Sequence, residues 1–389
     1  MISWSLTPRD GLILNDGRPF QAGHTSPRSL NLPHPETLAG LVTTQRGLNE
    51  EGQFTLDQEA ARRLKTETQI RGPLLYSPAH EQLFVPAPLD VVWSEVTDQS
   101  GEAIAANSHR LTLSASLTSL STPLTSLKDG HLARPEPELG RGKPISGPAL
   151  WSWSTMEAWM RGERPPQTQI INRVISDKSR FIASLPHQRR AHVSIAGETR
   201  TASDGALFMT DRVVYRSDQS TLSLMFWTPN EDISDTDKVV HLGGDVRPSL
   251  LKRSALTLPS LSQDVITQIA SQKGELERVV RVTLITPALF ERGATPKHLL
   301  MPSSPDQVGT RHELLGWVTG RPVPISGWDM AARGPKIHRR MAPAGSTYWI
   351  RLAEGTNLTE WVNSIHLTEV SDKKSERNAG FGLCMVGAV

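Results

Sequence analysis

Basic side chains set among glycines and prolines are the residues of this sequence whose types and spacing suit chemistry. In the run GRPVPISGWDMAARGPKIHRRMAPAG, residues 320–345, Arg333, Lys336, Arg339 and Arg340 crowd together with His338 between them. Near the C-terminus, Lys373, Lys374 and Arg377 precede Gly380-Phe381-Gly382. At the other end, Arg9, Arg18, His24 and Arg28 fall on or beside a Gly/Pro/Ser-rich loop from Pro19 to Pro35. Arg189 and Arg190 open a further basic stretch in the middle. Such loops hold fixed positive charge beside exposed backbone N–H groups, a combination suited to phosphates. Gly380 and Gly382 permit close approach to the backbone, and Phe381 has the type for stacking on a base. The bland readings are a solvated loop for residues 333–340 and a tight turn before an edge strand for the glycines.

Bond cleavage has less support. Metal-independent RNA cleavage needs a base near neutral pKa and a group that stabilises developing charge. His24 and His187 each lie beside basic residues, but a lone histidine in a polar loop is more often a hydrogen-bonding side chain. Gly243-Gly244-Asp245 invites comparison with the Gly-Gly-Asp-Asp turn of nucleotidyl-transferring palms. Val246 stands where the second Asp would be, so this turn lacks the carboxylate pair for two-metal chemistry. No P-loop, His-Asp pair or Ser-His-Asp pattern is visible. The expectation is a protein with no catalytic residue, no metal and no cofactor.

The elements that must position these groups follow from periodicity. Ile2, Trp4 and Leu6 alternate with Ser3 and Ser5 as in a half-buried strand. After the long loop, Leu38, Leu41 and Val42 recur at helical spacing behind Pro35, a residue suited to a helix's first turn. Gly40 inside that helix costs roughly 1 kcal/mol relative to Ala, which suggests a backbone that must be approached closely. Residues 49–68 show only a weak helical face. Pro73–Tyr76 and Gln82–Pro86 around Ser77-Pro78-Ala79-His80 read as a hairpin.

Residues 97–148 are poor in large apolar side chains and read as an irregular surface insertion, or as one that orders on meeting a partner. WSWSTMEAWM, residues 151–160, reads as a helix whose Trp151, Trp153 and Trp159 either pack on a sheet or dock on a neighbouring subunit. Val193 and Ile195 end a basic strand that leads into a loop through Gly205-Ala206-Leu207-Phe208. Val213–Tyr215 and Leu222–Trp227 read as a long hairpin. The second half has a helix at Val265–Ala270 and strands at Val280–Leu284, Leu314–Val318 and Tyr348–Leu352. A short apolar strand follows the final glycines.

At 389 residues the chain is long enough for two domains, and an acidic turn-rich stretch at 229–237 places the boundary near 235. Hydrophobic content of 37 % with 28 Pro and 29 Gly implies a loop-rich mixed α/β protein in contrast to a helical bundle. The 42 basic and 40 acidic residues leave a formal charge of +2, so any nucleic-acid contact must come from local clustering of charge. A single cysteine, Cys384, excludes an internal disulfide and a cysteine-based metal site. No apolar run approaches the roughly 18 residues of a membrane span. With no basic-then-apolar signal at the N-terminus, a cytoplasmic protein is expected.

The sequence resembles the RAMP proteins of CRISPR effector complexes, and specifically the subunit of the type III-B (Cmr) complex that holds the 5′ end of the guide RNA. The residues carrying the likeness are Pro8-Arg9-Asp10, Asp16-Gly17-Arg18-Pro19-Phe20, and Pro35 through Thr37-Leu38-Ala39-Gly40. Gly243-Gly244-Asp245, Gly327-Trp328, Gly334-Pro335, Arg339-Arg340, Pro343-Ala344-Gly345 and the terminal Gly-rich turn continue it in order. The resemblance implies an α+β fold of two tandem ferredoxin-like (RRM-related) RAMP domains with long insertions and Gly-rich loops, over residues 1–235 and 236–389. It implies a non-catalytic subunit that grips the repeat-derived tag of the crRNA, touching target RNA only indirectly and no membrane. Its neighbours would be the large polymerase- or cyclase-type subunit and the adjacent backbone RAMP subunit. The RNA contacts implied are Arg9, Arg18, His24, Arg28, Gly40, Arg189, Arg190, Arg333, Lys336, Arg339, Arg340, Arg377, Gly380, Phe381 and Gly382. A RAMP endoribonuclease that processes precursor crRNA, a purely structural subunit, and the equivalent subunit of another type III complex stay open.

Overall fold

The computed structural model describes residues 1–15, 28–113, 133–135, 142–171, 174–216, 221–230, 233, 236–301, 311–329 and 334–389. The fold is α+β, with strands predominating. The Ile2–Pro8 strand forms as its alternation predicts, burying Trp4 and Leu6. It lies in an eight-stranded sheet between Ser223–Thr228 and Arg247–Ser254, antiparallel to both. Arg71–Ser77 pairs with the far side of Ser223–Thr228, and Gln82–Pro86 then pairs back on Arg71–Ser77 as the expected hairpin. Lys238–Leu242 forms the other edge.

The two faces of this sheet serve two cores. Leu224 and Phe226 point to the helix Pro35–Arg46, where Leu38, Leu41 and Val42 are buried as their spacing predicts. Met225 and Trp227, one residue out of phase, point to the opposite face and join the helix Trp153–Met160. All six residues of Ser223–Thr228 are therefore buried. Trp151 and Trp159 are fully buried and Trp153 is 8 % exposed, so the tryptophan cluster is core.

The same core continues into a four-stranded antiparallel sheet ordered Glu313–Val318, Thr347–Arg351, Val279–Leu284, Cys384–Gly387. Val280, Val282 and Leu284 face the shared core together with Val265, Ile266 and Ile269 of the helix Gln263–Ser271. At this junction Arg281 and Asp90, both without exposure, pair at 3.0 Å, and the Trp159 indole N–H donates to the same Asp90 at 3.0 Å. The Ala388 N–H donates to the Met160 carbonyl at 2.8 Å, closing the C-terminus onto the first unit.

Three expectations are corrected. The predicted hairpin of Val213–Tyr215 with Leu222–Trp227 is not the main pairing: Ser223–Thr228 is a central strand of the large sheet. Ala202–Val213, expected largely as a loop, instead pairs back on His187–Ile195 as a two-stranded ribbon. On sheet membership, the change of unit falls after Ser254 rather than near 235, because Lys238–Leu242 and Arg247–Ser254 complete the first sheet. Ala103–Leu113, inside the expected insertion, is an ordered strand and pairs antiparallel with Val91–Thr97 just before it.

Candidate nucleic-acid interface

The root of the ribbon is where distant parts of the sequence meet. Leu12 and Val213 exchange backbone hydrogen bonds of 2.9 Å in both directions. Gly11 allows this approach, since a Cβ there would lie 2.9 Å from the Arg212 Cβ. The Ser29 N–H donates to Asp211 Oδ2 at 2.7 Å, and the Ser29 hydroxyl donates to the Leu12 carbonyl at 3.1 Å. His187 Nδ1 lies 2.9 Å from the same Asp211 oxygen, and its Nε2 lies 3.0 Å from the Asn31 side chain. Both ring nitrogens are thus occupied, one bracing the ribbon's own Asp211 and the other tying the ribbon to the end of the long loop.

A four-membered charge cluster sits beside this clasp. Asp10 Oδ2 takes Arg247 at 2.9 Å and Arg212 at 3.5 Å, and Asp245 pairs with the same two arginines. Arg212 is almost wholly buried, and burial with the neighbouring Arg247 and Arg190 charges lowers its pKa, against Asp10 and Asp245. These residues were not singled out by sequence reasoning as site residues. Asp10 and Asp245 lie inside quoted motifs, but a pairing across more than two hundred positions leaves no local signal.

Four predicted RNA-contact residues border this root. Arg9 adjoins Asp10 and Arg28 adjoins Ser29, while Arg189 and Arg190 stand opposite Asp211 and Thr210 in the ribbon register. All four are exposed. Arg190 is steadied by Gln188 Oε1 at 2.9 Å, and no ion pair of Arg9, Arg28 or Arg189 occurs among the described residues. Exposed cations without ion-pair partners, carried on segments that meet at one root, suit phosphate groups.

The second predicted cluster is arranged differently. Lys336 pairs with Glu36 in the first turn of the helix Pro35–Arg46. Arg339 pairs with the mostly buried Glu376 at 2.7 Å. Arg377 donates to the carbonyls of Ser371 and Asp372 at 2.7 and 2.8 Å. These cations fasten the C-terminal loop to its surroundings, and only Arg340 of the described cluster remains exposed without such a role. Arg18, His24 and Arg333 lie outside the described residues.

The terminal glycines also answer to internal packing. Gly382 has φ +88°, and a Cβ there would lie 2.8 Å from the Ser371 N. Gly380 has φ +89° and faces Ile70, Pro35 and the Gly72 carbonyl. Phe381 is 1 % exposed and packs with Leu289, Ile325 and Met341, so its expected stacking on a base is corrected: the ring is core. Gly40 is the opposite case. It is exposed with nothing within 4 Å of a Cβ, on an open groove of about 850 Å³ between its helix and Lys238–Leu242.

Among the described residues, no three His, Cys, Asp or Glu side chains gather as a metal-binding set, and no helix is long and apolar enough to cross a membrane. The model of the family described as CRISPR-associated protein (Cas_Cmr3) matches residues 4–389. No curated protein matches the chain. Among solved structures, a chain in the cryo-EM structure of the type III-B Cmr-beta bound to cognate target RNA is similar over 98 % of this chain and 96 % of its own. Its TM-score is 0.50 and its identity 15 %, a likeness of fold. A chain in the structure of the same assembly with target RNA and AMPPnP, state 1, covers 89 % of this chain and 86 % of its own. Its TM-score is 0.46, again at 15 % identity.

Proposed function

The chain belongs to the CRISPR-associated Cas_Cmr3 family, and from that membership we propose that it is a non-catalytic RNA-binding subunit of a type III-B effector complex. Its role is to hold the repeat-derived 5′ tag of the crRNA and to dock the large polymerase-type subunit and the adjacent backbone RAMP subunit. The observation that carries the RNA-binding reading is the ribbon root, where exposed Arg9, Arg28, Arg189 and Arg190 converge from three parts of the sequence. Phosphate contacts there fix a strand's register without reading its bases. Both ring nitrogens of His187 have partners in the clasp, which supports a positioning role for it over that of a general base.

The fold supports the RAMP reading as well. Counted along the sequence, the strands Val279–Leu284, Glu313–Val318, Thr347–Arg351 and Cys384–Gly387 lie in space as fourth, first, third, second, all antiparallel. The strands Ile2–Pro8, Arg71–Ser77, Ser223–Thr228 and Arg247–Ser254 have the same order. A ferredoxin-like sheet has that order, which supports the reading of two such units in tandem, the helix Pro35–Arg46 serving as the first crossover of the first and Leu358–Ile365 preceding the last strand of the second.

The test is nuclease footprinting of the guide RNA in an effector complex reconstituted with and without this subunit. Protection confined to the 5′ tag and lost on omission is the expected result. Unchanged protection of the tag, or loss confined to the spacer, overturns the reading.

A further inference from the structure

The turn joining Lys238–Leu242 to Arg247–Ser254 is the most strained exposed segment among the described residues. Its Gly243, Asp245 and Val246 all have positive φ, at +74°, +62° and +49°. Glycine takes such angles without steric cost and aspartate tolerates them, but a β-branched side chain is an outlier there. Val246 is also 67 % exposed, so burial of its isopropyl group does not offset the strain.

The surroundings hold the turn in place from several sides. The Gly244 N–H donates to the Ile13 carbonyl at 2.9 Å, and a Cβ on Gly243 would lie 2.6 Å from that same oxygen. The Asp245 carboxylate grips Arg247 and Arg212, which in turn hold Asp10. A backbone kept in a costly conformation by so many contacts, with an apolar side chain turned into water, points to a use for that side chain outside the chain.

We propose that Val246 is an apolar wedge that packs against the bases of a single-stranded RNA whose phosphates rest on the arginines at the ribbon root. This rests on the RNA-binding reading above and assigns a contact to a residue outside the basic set. The placement supports it: Arg212 and Arg247, which anchor the turn, belong to the cluster that Arg9 and Arg190 border. Charged groups can hold the backbone of an RNA in position but leave its stacked bases undisturbed. An apolar group fixed beside those charges separates one step of the strand, as apolar side chains do when they enter a base stack.

The test uses the full-length protein and a single-stranded RNA of the tag sequence carrying 2-aminopurine at one position at a time. Unstacking raises the fluorescence of this base. The expected result is a rise at one position on binding, kept in Val246→Ile and lost in Val246→Gly. The glycine variant relieves the strained φ, so its melting temperature should equal or exceed that of the wild type, and its salt slope of binding should be unchanged. An equal rise in Val246→Gly overturns the wedge, as does a wild type that shows no rise at any position while binding through Arg189 and Arg190. If Ala replacements of those arginines leave binding unchanged, the reading of the site itself fails, and the wedge with it.

Discussion

Arg339 donates to the Glu376 carboxylate at 2.7 Å, and this contact gives a family-like basic pair a structural task. Burial pushes the Glu376 carboxyl up, and Arg339 opposes that shift. In Arg339→Ala the carboxylate is left unpaired. A group whose folded pKa is raised destabilises the fold as pH climbs through that pKa, so the deficit of the variant grows with pH above the carboxylate range. Solvent reaches the arginine, so the loss should be about 1 kcal/mol at neutral pH. Thermal melts from pH 4 to pH 8 check it: a deficit independent of pH would mean that the pair is not coupled to folding.

Trp159→Ala should cost roughly 3–5 kcal/mol in the isolated protein. The indole is fully buried, meets the Trp151 ring edge-on at 5.5 Å, donates to Asp90 and lies under the Arg110 guanidinium at 4.1 Å. Losing it uncovers Asp90 and so disturbs Arg281 across the junction of the two units. Denaturant unfolding measures the effect. Wild-type stability with lost assembly would return the tryptophan to the docking role that its type alone also allowed.

Acid should loosen the fold through two partly buried histidines. Burial lowers His34 and His366 to about 4, with Glu36 opposing the shift for His34. His366 Nδ1 accepts the Val386 N–H at 3.2 Å and must be neutral to do so. A folded pKa below the unfolded 6.5 means stability is full above about pH 6.5 and falls as pH drops toward 4, by up to roughly 3 kcal/mol per histidine. Glu369 runs the other way: burial raises it to about 7, so its contribution is lost as pH rises through 7. His366→Gln, which keeps an acceptor, should flatten the melting-temperature profile between pH 6.5 and 4. An unflattened profile would place the acid sensitivity elsewhere.

What the sequence made legible was what neighbouring residues decide. Alternation gave the Ile2–Pro8 strand, Pro35 with apolar residues at i, i+3 and i+4 gave the first helix, and the turn at Ser77–His80 gave the first hairpin. Pairings across long separations were not legible. Ser223–Thr228 reads as the partner of the segment just before it, yet it pairs with Ile2–Pro8 more than two hundred residues away. The basic clusters had the same limit: Arg339 and Arg189 look alike in sequence, and only the folded position of Glu376 marks the first as a fastened cation. Phe381 misled for a related reason, because an aromatic between two glycines suits a stacking loop and a packed turn equally.

Arg189→Ala with Arg190→Ala should weaken binding to tagged RNA and leave the melting temperature alone, since both side chains are exposed on the ribbon. The salt slope should fall by up to about 0.7 for each phosphate of a single strand that is no longer neutralised. Arg339→Ala should change that slope less. A salt titration on tagged and untagged guides checks both, and a larger effect of Arg339 would move the grip to the C-terminal loop.

Gly40 and Gly382 should respond oppositely to alanine, because one glycine answers to the chain itself and the other does not. At Gly382 the φ of +88° and a Cβ 2.8 Å from the Ser371 N and 3.0 Å from the Val370 N leave no room, and the clashing atoms are backbone. The Gly382 N–H also donates to the Pro287 carbonyl at 2.8 Å, and its carbonyl accepts from Val370 at 3.0 Å, so the segment cannot step aside. Gly382→Ala should therefore destabilise by about 3 kcal/mol or more, from strain and overpacking together. Any RNA-binding defect should vanish at temperatures where the variant is folded. Gly40 lies in a helix interior with open space around it, so Gly40→Ala should stabilise by about 1 kcal/mol. If a partner or an RNA backbone comes close to this helix face from outside, the same variant loses binding while gaining stability. Melting curves and binding isotherms on the two variants separate the cases. A Gly40→Ala protein that is more stable and binds RNA and assembles as the wild type does would show that nothing approaches this helix closely.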